Sequence, residues 1–456
     1  MPMEVIILAA GQGTRMKSRL PKVLHPLAGK PMVGHVLDTA ARLQPTALHL
    51  VVGHGAEQLC AYLGGRQVSV VEQAEQLGTG HAVDQAMPKV DADSTVLILY
   101  GDVPLIAEST LRQLLASAAQ NRLALLTVEL ADPSGYGRIL RDHNHRVTAI
   151  VEHKDASEAE LGIREINTGI LALPARWLKT WLPQLSSDNA QGEYYLTDII
   201  AMAAAAGETI DAIQPSSEQE VQGVNNRLQL AELERWYQRR QAEHWMTEGV
   251  TLADPARIDF RGDIQIGRDV SLDINVILEG RVRIADDVVI GPNCVIKDSE
   301  IGAGCVIKAH SMLDGSRVAE GCEIGPFARL RPGTVLARQA KIGNFVETKK
   351  AQVGEGSKIN HLSYVGDAIL GREVNVGAGT ITCNYDGVNK FQTEIGDRAF
   401  IGSNTSLVAP VRVGVEATTG AGSTITKPVD DGQLGVARGK QVNLKGWQRP
   451  VKKITP

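Results

Sequence analysis

The first half of the chain alternates short apolar runs with stretches of helical periodicity. The apolar runs are "EVIIL" from Glu4, "ALHLVV" from Ala47 and "STVLILY" from Ser94. In the helical stretch after the first run, the apolar positions on one face are Val33, Val36, Leu37 and Ala40. Strands that alternate with helices indicate a doubly wound α/β sheet of parallel strands, and such sheets bind ligands beyond the carboxyl ends of their strands.

The middle of the chain has a different pattern. From Asn226, the segment "NRLQLAELERWYQRRQAEHWM" contains no Gly or Pro and spaces Leu, Ala, Glu and Arg as a helix does. It predicts a single linker helix. We therefore expect an α/β domain over residues 1–225, a linker helix over 226–247 and a further domain over 248–456.

The second half repeats with a period of six residues. Its aliphatic positions, interrupted by one deletion and by gaps, are Ile266, Leu272, Leu278, Ile284, Ile290, Ile296, Ile301, Ile307, Leu313, Ile324, Leu330, Leu336, Ile342, Leu370, Val376, Ile395, Ile401, Leu407 and Val413. Small or β-branched residues follow four positions later at Val270, Val288, Cys294, Cys305, Ala328, Thr334, Val346, Ala399, Thr405 and Ala417. Hexapeptide repeats of this kind predict a parallel β-helix in which two residues of each short strand point inward.

Two segments interrupt the repeat, 354–369 and 382–394, and both are rich in polar and aromatic residues. Departures from a regular scaffold are positions at which function is usually found, so we expect functional residues in both. Cys294 and Cys305, in contrast, occupy small inward positions and are expected to pack as buried thiols.

Composition narrows the class of protein. The 456 residues are 43% hydrophobic and 22% charged with a formal net charge of -5, which argues against nucleic acid or an anionic membrane as the main partner. No apolar run approaches the roughly 20 residues of a membrane helix, and the N-terminus lacks the pattern of a signal peptide. The five cysteines include no Cys-x-x-Cys pair, so they predict reduced thiols without disulfides or zinc. These features favour a cytoplasmic protein.

The loop after the first apolar run, "LAAGQGTRMKSRLPK" from Leu8, has the composition of a phosphate site. It fits neither the dinucleotide pattern Gly-x-Gly-x-x-Gly nor the P-loop pattern, because Met16 stands where each requires a glycine. Small residues at its start let backbone N–H groups approach a ligand, and Arg15 and Lys22 add positive charge. This combination suits a triphosphate. The alternative is a tight turn with solvated cations.

Asp102 follows the third apolar run in "LILYGDVPL". A carboxylate in this position commonly holds Mg²⁺, although a Gly-Asp pair also forms ordinary turns. Further polar clusters lie beside apolar runs, and each is compatible with a turn or with a site. These clusters are "EQLGTGHA", "GYGRI", "VEHKD", "INTGI" and "GVNN".

Together these motifs resemble the sugar-1-phosphate nucleotidyltransferases, with their Rossmann-like domain. "GEYYLTDI" and "GVNNRLQL" narrow the resemblance to the bacterial bifunctional N-acetylglucosamine-1-phosphate uridylyltransferases and glucosamine-1-phosphate acetyltransferases. The resemblance implies UTP as a co-substrate, Mg²⁺ held by Asp102 and Asn225, and phosphates neutralised by Arg15 and Lys22. It also implies contacts to the nucleotide sugar from Leu8, Ala9, Ala10, Gly11, Lys22, Gln73, Gly78, Thr79, Tyr100, Gly101, Asp102, Gly137, Glu152, Asn167 and Asn225.

The second half contains a candidate general base. Acetyl transfer to an amine needs a base and donors for the developing oxyanion. "NHLSYVGD" places His361 within the first interruption of the repeat. Taken alone, this histidine leaves a structural role open. "RLRPG" and "VETKK" supply Arg331 and Lys349 as cations for a phosphate, and Glu347 as a carboxylate that could orient the imidazole.

The family resemblance extends over this half through "RLRPG", "GNFVETKK", "NHLSYVGD", "NVGAGTITCNYDG", "IGSN" and "LVAP". It implies His361 as general base and glucosamine 1-phosphate bound by Arg331, Lys349, Tyr364 and Asn375. It implies contacts to acetyl-coenzyme A (acetyl-CoA) from Ala378, Asn384, Tyr385, Ser403, Ala421 and Arg438. It further implies a left-handed β-helix and a homotrimer with acetyltransferase sites between subunits. The hexads alone show neither the hand nor the trimer.

Two other functions stay open beside the bifunctional enzyme. One is nucleotidyl transfer alone, to a different sugar or from a different nucleotide, with a β-helix for oligomerisation or regulation, as in ADP-glucose pyrophosphorylases. The other is a scaffold without enzymatic activity, as in nucleotide-exchange subunits of the eukaryotic initiation machinery. His361 with the "NVGAGTITCNYDG" loop argues against the first. Intact Arg15, Lys22, Asp102 and Asn225 argue against the second, so we favour acetylation of glucosamine 1-phosphate followed by uridylylation of the product.

Overall fold

The chain forms two compact units that divide between Gln238 and Arg239. The computed structural model describes residues 2–452. Each unit has a hydrophobic core of its own. The predicted division of the chain after residues 225 and 247 stays a prediction, and its outermost positions, 1 and 453–456, lie outside the described residues.

The first unit is built on one central sheet flanked by helices. Its strands are Met3–Ala9 (β1), Ala47–Val52 (β2), Ser69–Glu72 (β3), Thr95–Tyr100 (β4), Leu123–Glu129 (β5), Arg138–Arg141 (β6), Val147–Val151 (β7), Glu165–Pro174 (β8) and Ile210–Ile213 (β9). Its helices are Met32–Arg42 (α1), Ala56–Leu63 (α2), Thr79–Ala86 (α3), Glu108–Ala118 (α4), Glu158–Leu161 (α5), Ala175–Trp181 (α6) and Asp198–Ala205 (α7). Short 3-10 helices are Thr14–Met16, Lys22–Leu24, Met87–Lys89, Leu182–Gln184 and Glu218–Glu220, and Pro26–Leu27 pairs with Lys30–Pro31.

The sheet is covered on both faces, which confirms the doubly wound α/β fold. Successive residues of a strand point to opposite faces. Accordingly, Val5 and Ile7 of β1 pack in the core that contains apolar residues of α1 and α4. Ile6 and Leu8 pack in the core that contains residues of α3 and α6.

The predicted all-parallel sheet is wrong in one region. The strand order is β9-β5-β8-β4-β1-β2-β3, with β6 paired to both β7 and β8. β1 is parallel to β2 and β4, but β8 is antiparallel to β4 and β5. The reason lies in the connection, because the chain leaves β5 into the β6–β7 hairpin and one turn of helix. This connection lacks the crossover helix packed on the sheet that usually joins parallel neighbours, since α5 has no buried residue.

A 21-residue helix, Arg227–Thr247 (α8), occupies the segment for which the sequence predicted a linker helix. Its first turn follows Asn226, whose side-chain oxygen accepts the Gln229 N–H at 2.9 Å. This hydrogen bond satisfies one of the N–H groups that the start of a helix leaves unpaired.

The second unit is a parallel β-helix, as predicted. One of its sheets contains Thr251–Leu252, Ser271–Leu272, Val289–Ile290, Val306–Ile307, Glu323–Ile324, Lys341–Asn344, Lys358–His361, Asn375–Val376, Phe400–Ile401, Thr418–Thr419 and Leu434–Gly435. The remaining strands are Ile258–Ile266, Val276–Ile284, Val295–Lys297, Glu300–Ile301, Met312–Asp314, Arg317–Val318, Arg329–Leu330, Val335–Leu336, Glu347–Val353, Tyr364–Leu370, Ile381–Cys383, Thr393–Ile395, Ser406–Val408, Val411–Val413 and Thr424–Ile425.

The hexad positions fill the interior of this β-helix. Ile290, Ile307, Ile324 and Ile342 stack on successive coils in parallel register, and all are buried. The predicted small positions are buried as well, including the free thiols Cys294 and Cys305. Side chains from neighbouring coils thus form one continuous core, which a single coil could not provide. The left-handed sense of the β-helix stays a prediction.

One of the two predicted interruptions of the repeat is wrong. Within residues 354–369, Ile359 pairs with Ile342 on one side and with Val376 on the other, as in a regular coil. Ile359 and Val365 are both buried. A shortening of the coil by one residue shifts the hexad spacing, which concealed these inward positions in the sequence. Residues 384–392, in contrast, do leave the coil between two of its strands.

Among residues 2–452, no helix is long and apolar enough to cross a membrane.

Candidate functional site

A cavity of about 490 Å³ opens at the carboxyl ends of β1 and β4. The strand register brings these ends together, because Leu8 lies opposite Tyr100 and the Gly101 N–H donates to the Leu8 carbonyl at 2.9 Å. Many residues for which the sequence predicted a nucleotide contact line this cavity. They are Leu8, Ala9, Ala10, Gly11, Lys22, Gln73, Gly78, Thr79, Tyr100 and Asp102.

Lys22 provides the positive charge of this cavity. Its Nζ contacts Asp102 Oδ2 and lies 3.3 Å from Asn225 Oδ1. Arg15 donates to the same Asn225 oxygen at 2.8 Å. The side chains of Lys22 and Asp102 are only 13% and 18% exposed, so water and salt screen their attraction less than that of a surface pair. The structure therefore joins all four predicted phosphate and metal residues in one cluster.

Met16 explains why the glycine loop departs from both phosphate-binding patterns. Its side chain is 1% exposed and belongs to an apolar cluster whose other buried members are Leu27, Ala28, Met32, Val224 and Leu233. Val224 donates its N–H to the Asp102 carbonyl at 3.0 Å. Met16 thus anchors the loop against the segment that carries Asn225, which allows Arg15 to reach the Asn225 side chain.

Gly13 brings the loop close to Lys22. Its φ is +63°, and a Cβ at this position would lie 2.5 Å from the Lys22 Cβ. Glycine adopts this left-handed conformation without strain and leaves the space that the lysine side chain fills. The second glycine of the loop therefore serves the placement of Lys22.

Gly78 and Thr79 form the opposite side of the cavity at the start of α3. The buried Gln73 side chain donates to the Gly78 carbonyl at 3.1 Å. Thr79 Oγ1 accepts the Leu196 N–H at 3.1 Å, and a Cβ on Gly78 would lie 2.6 Å from the Tyr194 carbonyl oxygen. The segment before α7 thus holds this side of the cavity in place.

Three further residues with predicted contacts to the nucleotide sugar lie directly before β6, directly after β7 and on β8. The Asn167 N–H donates to the Gly137 carbonyl at 2.9 Å. A Cβ on Gly137 would lie 3.4 Å from Glu152 Oε1, which itself accepts the Thr197 hydroxyl at 3.0 Å. Gly137, Glu152 and Asn167 are therefore neighbours, although they are separated in the sequence.

Tyr100 lies between the sugar residues and the charged cluster. Burial raises the pKa of the Tyr100 phenol, and the negative charges of Glu152 and Asp102 raise it further. Burial also raises the pKa of the Glu152 carboxyl, which the Thr197 hydrogen bond partly opposes. At neutral pH the phenol stays protonated and is able to donate a hydrogen bond. It packs so closely on Gly169 that a Cβ there would lie 2.5 Å from the ring.

Sequence reasoning assigned no role to several other residues of the cavity, which are Gln12, Val23, Gln76, Ala82 and Glu193. Gln76 lies within "EQLGTGHA" and Glu193 within "GEYYLTDI", so both belong to motifs that the resemblance used. In the sequence, the only indication of a role for Gln76 and Glu193 was that they lie beside residues or motifs with an assigned role. Glu193 reaches the cavity because the adjacent Tyr194 carbonyl accepts the Gly80 N–H at 2.8 Å.

Asp102 and Asn225 fit a magnesium ion. Their side-chain oxygens converge on one position, since both lie within reach of Lys22 Nζ. Within residues 2–452, no group of three or more His, Cys, Asp and Glu side chains is placed to hold a metal. Two protein oxygens suffice for Mg²⁺, which usually takes its other ligands from water and substrate phosphates.

His361 lies on the β-helix at the end of Lys358–His361. It pairs with Asn344 on the preceding coil, and its Nδ1 lies 2.9 Å from Asn344 Oδ1. The amide oxygen accepts a hydrogen bond from Nδ1–H, which leaves Nε2 unprotonated in the neutral ring. The exposed imidazole is therefore in the tautomer that a general base requires.

The orienting role predicted for Glu347 is wrong in this structure. Glu347 Oε1 accepts a hydrogen bond from Arg331 Nη1 at 2.7 Å, and Asn344 takes the position beside the imidazole. The physical reason is the coil register, which places Asn344 opposite His361 and Glu347 opposite Tyr364. Glu347 thus pairs with Arg331, and its strand belongs to a different sheet of the β-helix from the strand that carries His361.

Lys349 lies in a cluster of positive charge together with Arg331. Lys390 contributes most to lowering the pKa of the Lys349 ammonium, and Arg331 adds to the effect. Lys390 comes from the loop that leaves the coil, in which Tyr385 and Lys390 form an antiparallel bridge. An anion is the natural partner of such a cluster, since like charges repel each other when it is absent. Lys390 lies three residues beyond the motif "NVGAGTITCNYDG" and had no predicted role.

The predicted acetyl-CoA residues divide into two groups. Asn384 donates to Asp367 Oδ2 at 2.5 Å, and Tyr385 donates to the Gly387 carbonyl at 2.5 Å within the same loop. The other group stacks along the helix, where the carbonyls of Ala378 and Ser403 accept N–H groups of the next coil at 2.7 and 2.8 Å. The members of this second group are Ala378, Ser403, Ala421 and Arg438.

Arg438 is the last member of this second group, which we call the column because its residues stack along the β-helix. Its Nη1 donates to the Ala421 carbonyl at 2.8 Å, in the place of the backbone N–H that a further coil would supply. At the other end of the column, the His361 carbonyl accepts the Gly379 N–H at 3.3 Å. Asn375 lies on the same sheet as His361, opposite Lys358. The structure thus aligns this group with His361 along one side of the β-helix.

Family models match both halves of the chain. Residues 5–168 match a MobA-like NTP transferase domain. Residues 260–344 match a GMPPB C-terminal domain, and residues 392–427 match a hexapeptide repeat of succinyl-transferase. These matches agree with the α/β fold of the first unit and the β-helix of the second.

Curated relatives match over nearly the whole length. The "Bifunctional protein GlmU" of Marinobacter nauticus is 63% identical over 451 residues, which cover 99% of each chain. The protein of that name from Pseudomonas entomophila is 61% identical over 452 residues, and that from Idiomarina loihiensis is 59% identical over 453 residues, again with 99% of each chain covered. Such identity over both units shows that the chain belongs to the GlmU family of bifunctional proteins.

Proposed function

We propose that the chain makes UDP-N-acetylglucosamine from glucosamine 1-phosphate in two steps. The second unit transfers the acetyl group of acetyl-CoA to the amine, and the first unit transfers the uridylyl group of UTP to the acetylated product. The observation that best supports this proposal is the cavity of the first unit, where the loop backbone, Lys22 and Asp102 meet at the carboxyl ends of two strands. A cytoplasmic location suits these substrates and is part of the proposal.

Uridylyl transfer needs positioning and neutralisation of charge. A phosphate oxygen of N-acetylglucosamine 1-phosphate attacks the α-phosphorus of UTP, and the bond to the β-phosphate oxygen breaks to release pyrophosphate. The attacking phosphate is already ionised, so no protein base is required. Lys22 and Arg15 neutralise the phosphates, and the small residues that end β1 present backbone N–H groups to them. Gly137, Glu152 and Asn167 hold the sugar.

Asp102 and Asn225 would hold Mg²⁺ in this site. The bound ion supplies further positive charge at the phosphates. Asp102 contributes the anionic oxygen and Asn225 a neutral one, and both are within reach of Lys22 Nζ.

Acetyl transfer depends on His361. Its Nε2 takes a proton from the amine of glucosamine 1-phosphate as the nitrogen attacks the carbonyl carbon of the thioester. The C–S bond then breaks, and the thiolate of coenzyme A takes up a proton. The cations Arg331 and Lys349 suit the phosphate of the amino sugar, with Tyr364 and Asn375 beside it in the proposal. Asn384, Tyr385 and the column of residues that ends at Arg438 bind acetyl-CoA.

One assay tests this function. Protein with glucosamine 1-phosphate, acetyl-CoA, UTP and Mg²⁺ is expected to release coenzyme A and pyrophosphate in equal amounts. Omitting acetyl-CoA should stop pyrophosphate release, because the unacetylated sugar is not the substrate of the first unit. Excess EDTA should stop pyrophosphate release but leave coenzyme A release unchanged. Full pyrophosphate release without acetyl-CoA would instead indicate that the first unit uses another sugar phosphate.

We also propose that the chain forms the homotrimer that the family resemblance implies. The corner of the β-helix next to His361 carries Phe327, Phe345 and Leu362, which are 48%, 56% and 63% exposed. The two phenyl rings stack at 5.2 Å. Contiguous apolar surface of this kind is typical of an interaction site. Light scattering should give three times the chain mass of 48.9 kDa, and a mass of one chain would contradict the trimer.

A further inference from the structure

Arg138 is a buried arginine that forms no ion pair with a carboxylate of residues 2–452. It is 1% exposed and is among the largest fully buried side chains of the described residues. Its Nε has no hydrogen-bond partner among these residues. Arg138 is nevertheless close enough to Asp132 to add to the lowering of the pKa of that carboxyl, which hydrogen bonds from Ser134 chiefly cause. An ionised group that is buried without a direct ion-pair partner is costly. A positive charge at this position therefore calls for a reason other than packing.

The guanidinium joins two segments of the predicted sugar site. Nη1 donates to the Tyr136 carbonyl, and Nη2 lies 3.4 Å from Nδ1 of His153. Tyr136 directly precedes Gly137, and His153 directly follows Glu152. The Arg138 side chain thus links the segment that leads into β6 with the residue that follows Glu152.

This link affects the position of Gly137, which has close neighbours on two sides. A Cβ on Gly137 would lie 2.9 Å from Ile150 Cγ2 and 3.4 Å from Glu152 Oε1. The Gly137 carbonyl also accepts the Asn167 N–H at 2.9 Å. A shift of the entry to β6 would therefore move Gly137 relative to both Glu152 and Asn167. Displacements of about 1 Å in a site can cost about 100-fold in rate.

We propose that Arg138 is a positioning residue for Gly137, Glu152 and Asn167, which form the sugar-binding half of the proposed uridylyltransferase site. This inference rests on the proposed function. An apolar residue such as Met could fill a similar volume, but it could not donate to the Tyr136 carbonyl and the His153 ring. Lysine keeps the charge without the planar fork of donors. Among residues 2–452, no hydrogen bond or ion pair joins Arg138 to the cavity residues on β1 and α3, so we expect its loss to affect binding of the sugar phosphate more than binding of UTP.

Three variants test the assignment. In Arg138→Met, the KM for N-acetylglucosamine 1-phosphate is expected to rise about tenfold or more, while the KM for UTP changes by less than about twofold. Arg138→Lys should lie between this variant and the unmodified protein. Arg141→Met is the matched control, because Arg141 lies on the same strand and pairs with Glu165 at 2.7 Å. It should leave both KM values unchanged.

Calorimetric titration with UTP separates positioning from folding. Normal UTP affinity together with the raised KM for the sugar phosphate supports the proposal. An unchanged KM in Arg138→Met overturns it. Loss of UTP binding and sugar binding together, in both Arg138 variants, also overturns it, because the role would then be structural. If the unmodified protein shows no uridylyl transfer, the proposed function itself is wrong.

Discussion

His361→Ala is expected to lower acetyl transfer by about 10²- to 10⁴-fold and to leave uridylyl transfer unchanged. The substitution removes Nε2, the only nitrogen of this ring that Asn344 leaves free to take a proton. The two activities are assigned to different units, and the described residues that line the cavity of the first unit all belong to that unit. Coenzyme A release measures the first activity. Pyrophosphate release from supplied N-acetylglucosamine 1-phosphate measures the second.

Two further variants sharpen this result. Asn344→Ala should lower acetyl transfer less than His361→Ala does, because the ring remains but its tautomer is no longer set. His244→Ala removes an exposed histidine of α8 and should change neither activity. Loss of both activities in a folded His361→Ala protein would exclude two independent sites.

Asp102→Ala is expected to lower uridylyl transfer by at least about 100-fold, while coenzyme A release continues at the normal rate. The change removes the anionic oxygen proposed to hold Mg²⁺ and leaves Lys22 without its ion-pair partner in a cavity where that side chain is 13% exposed. A titration with Mg²⁺ measures the effect. Asp102→Asn retains an oxygen without its charge and should therefore require a higher Mg²⁺ concentration for half-maximal activity.

Asp93→Ala is the matched control for this prediction. Asp93 is exposed and precedes β4 at the end opposite to Asp102, so its loss should change neither activity. If Asp102→Ala retained normal uridylyl transfer, the assignment of this carboxylate to the metal would be wrong.

The repeat architecture was predictable because each coil obeys the same local rule. An inward aliphatic residue every six positions and a small residue four positions later are properties of the chain alone, and Ile324 and Ile342 stack 18 residues apart, as three hexads require. The rule failed in the coil that contains Ile359, where a shortening by one residue changed the spacing. A period is read from regular spacing, so a shortened coil appears as an interruption.

Several residues of the candidate sites were predictable for a different reason. Arg15 and Lys22 belong to one short loop, and Asp102 follows an obvious strand, so local pattern suggested their chemistry. The roles of Glu193 and Lys390 were not predictable, because each reaches its site through a segment whose course depends on contacts distant in sequence. The error with Glu347 has the same origin, since a motif does not state which residue of the neighbouring coil faces His361.

By itself the sequence determined the two kinds of unit, the phosphate loop and the identity of the candidate residues, because periodicity and motif composition are local properties. Only the tertiary structure decided that β8 runs antiparallel, that Met16 anchors the loop beside Asn225, and that Asn344 rather than Glu347 faces His361. It also placed Arg138 in the interior, with its guanidinium on the Tyr136 carbonyl and the His153 ring. Each of these depends on which distant segments pack together, and that is settled by burial and register over the whole unit.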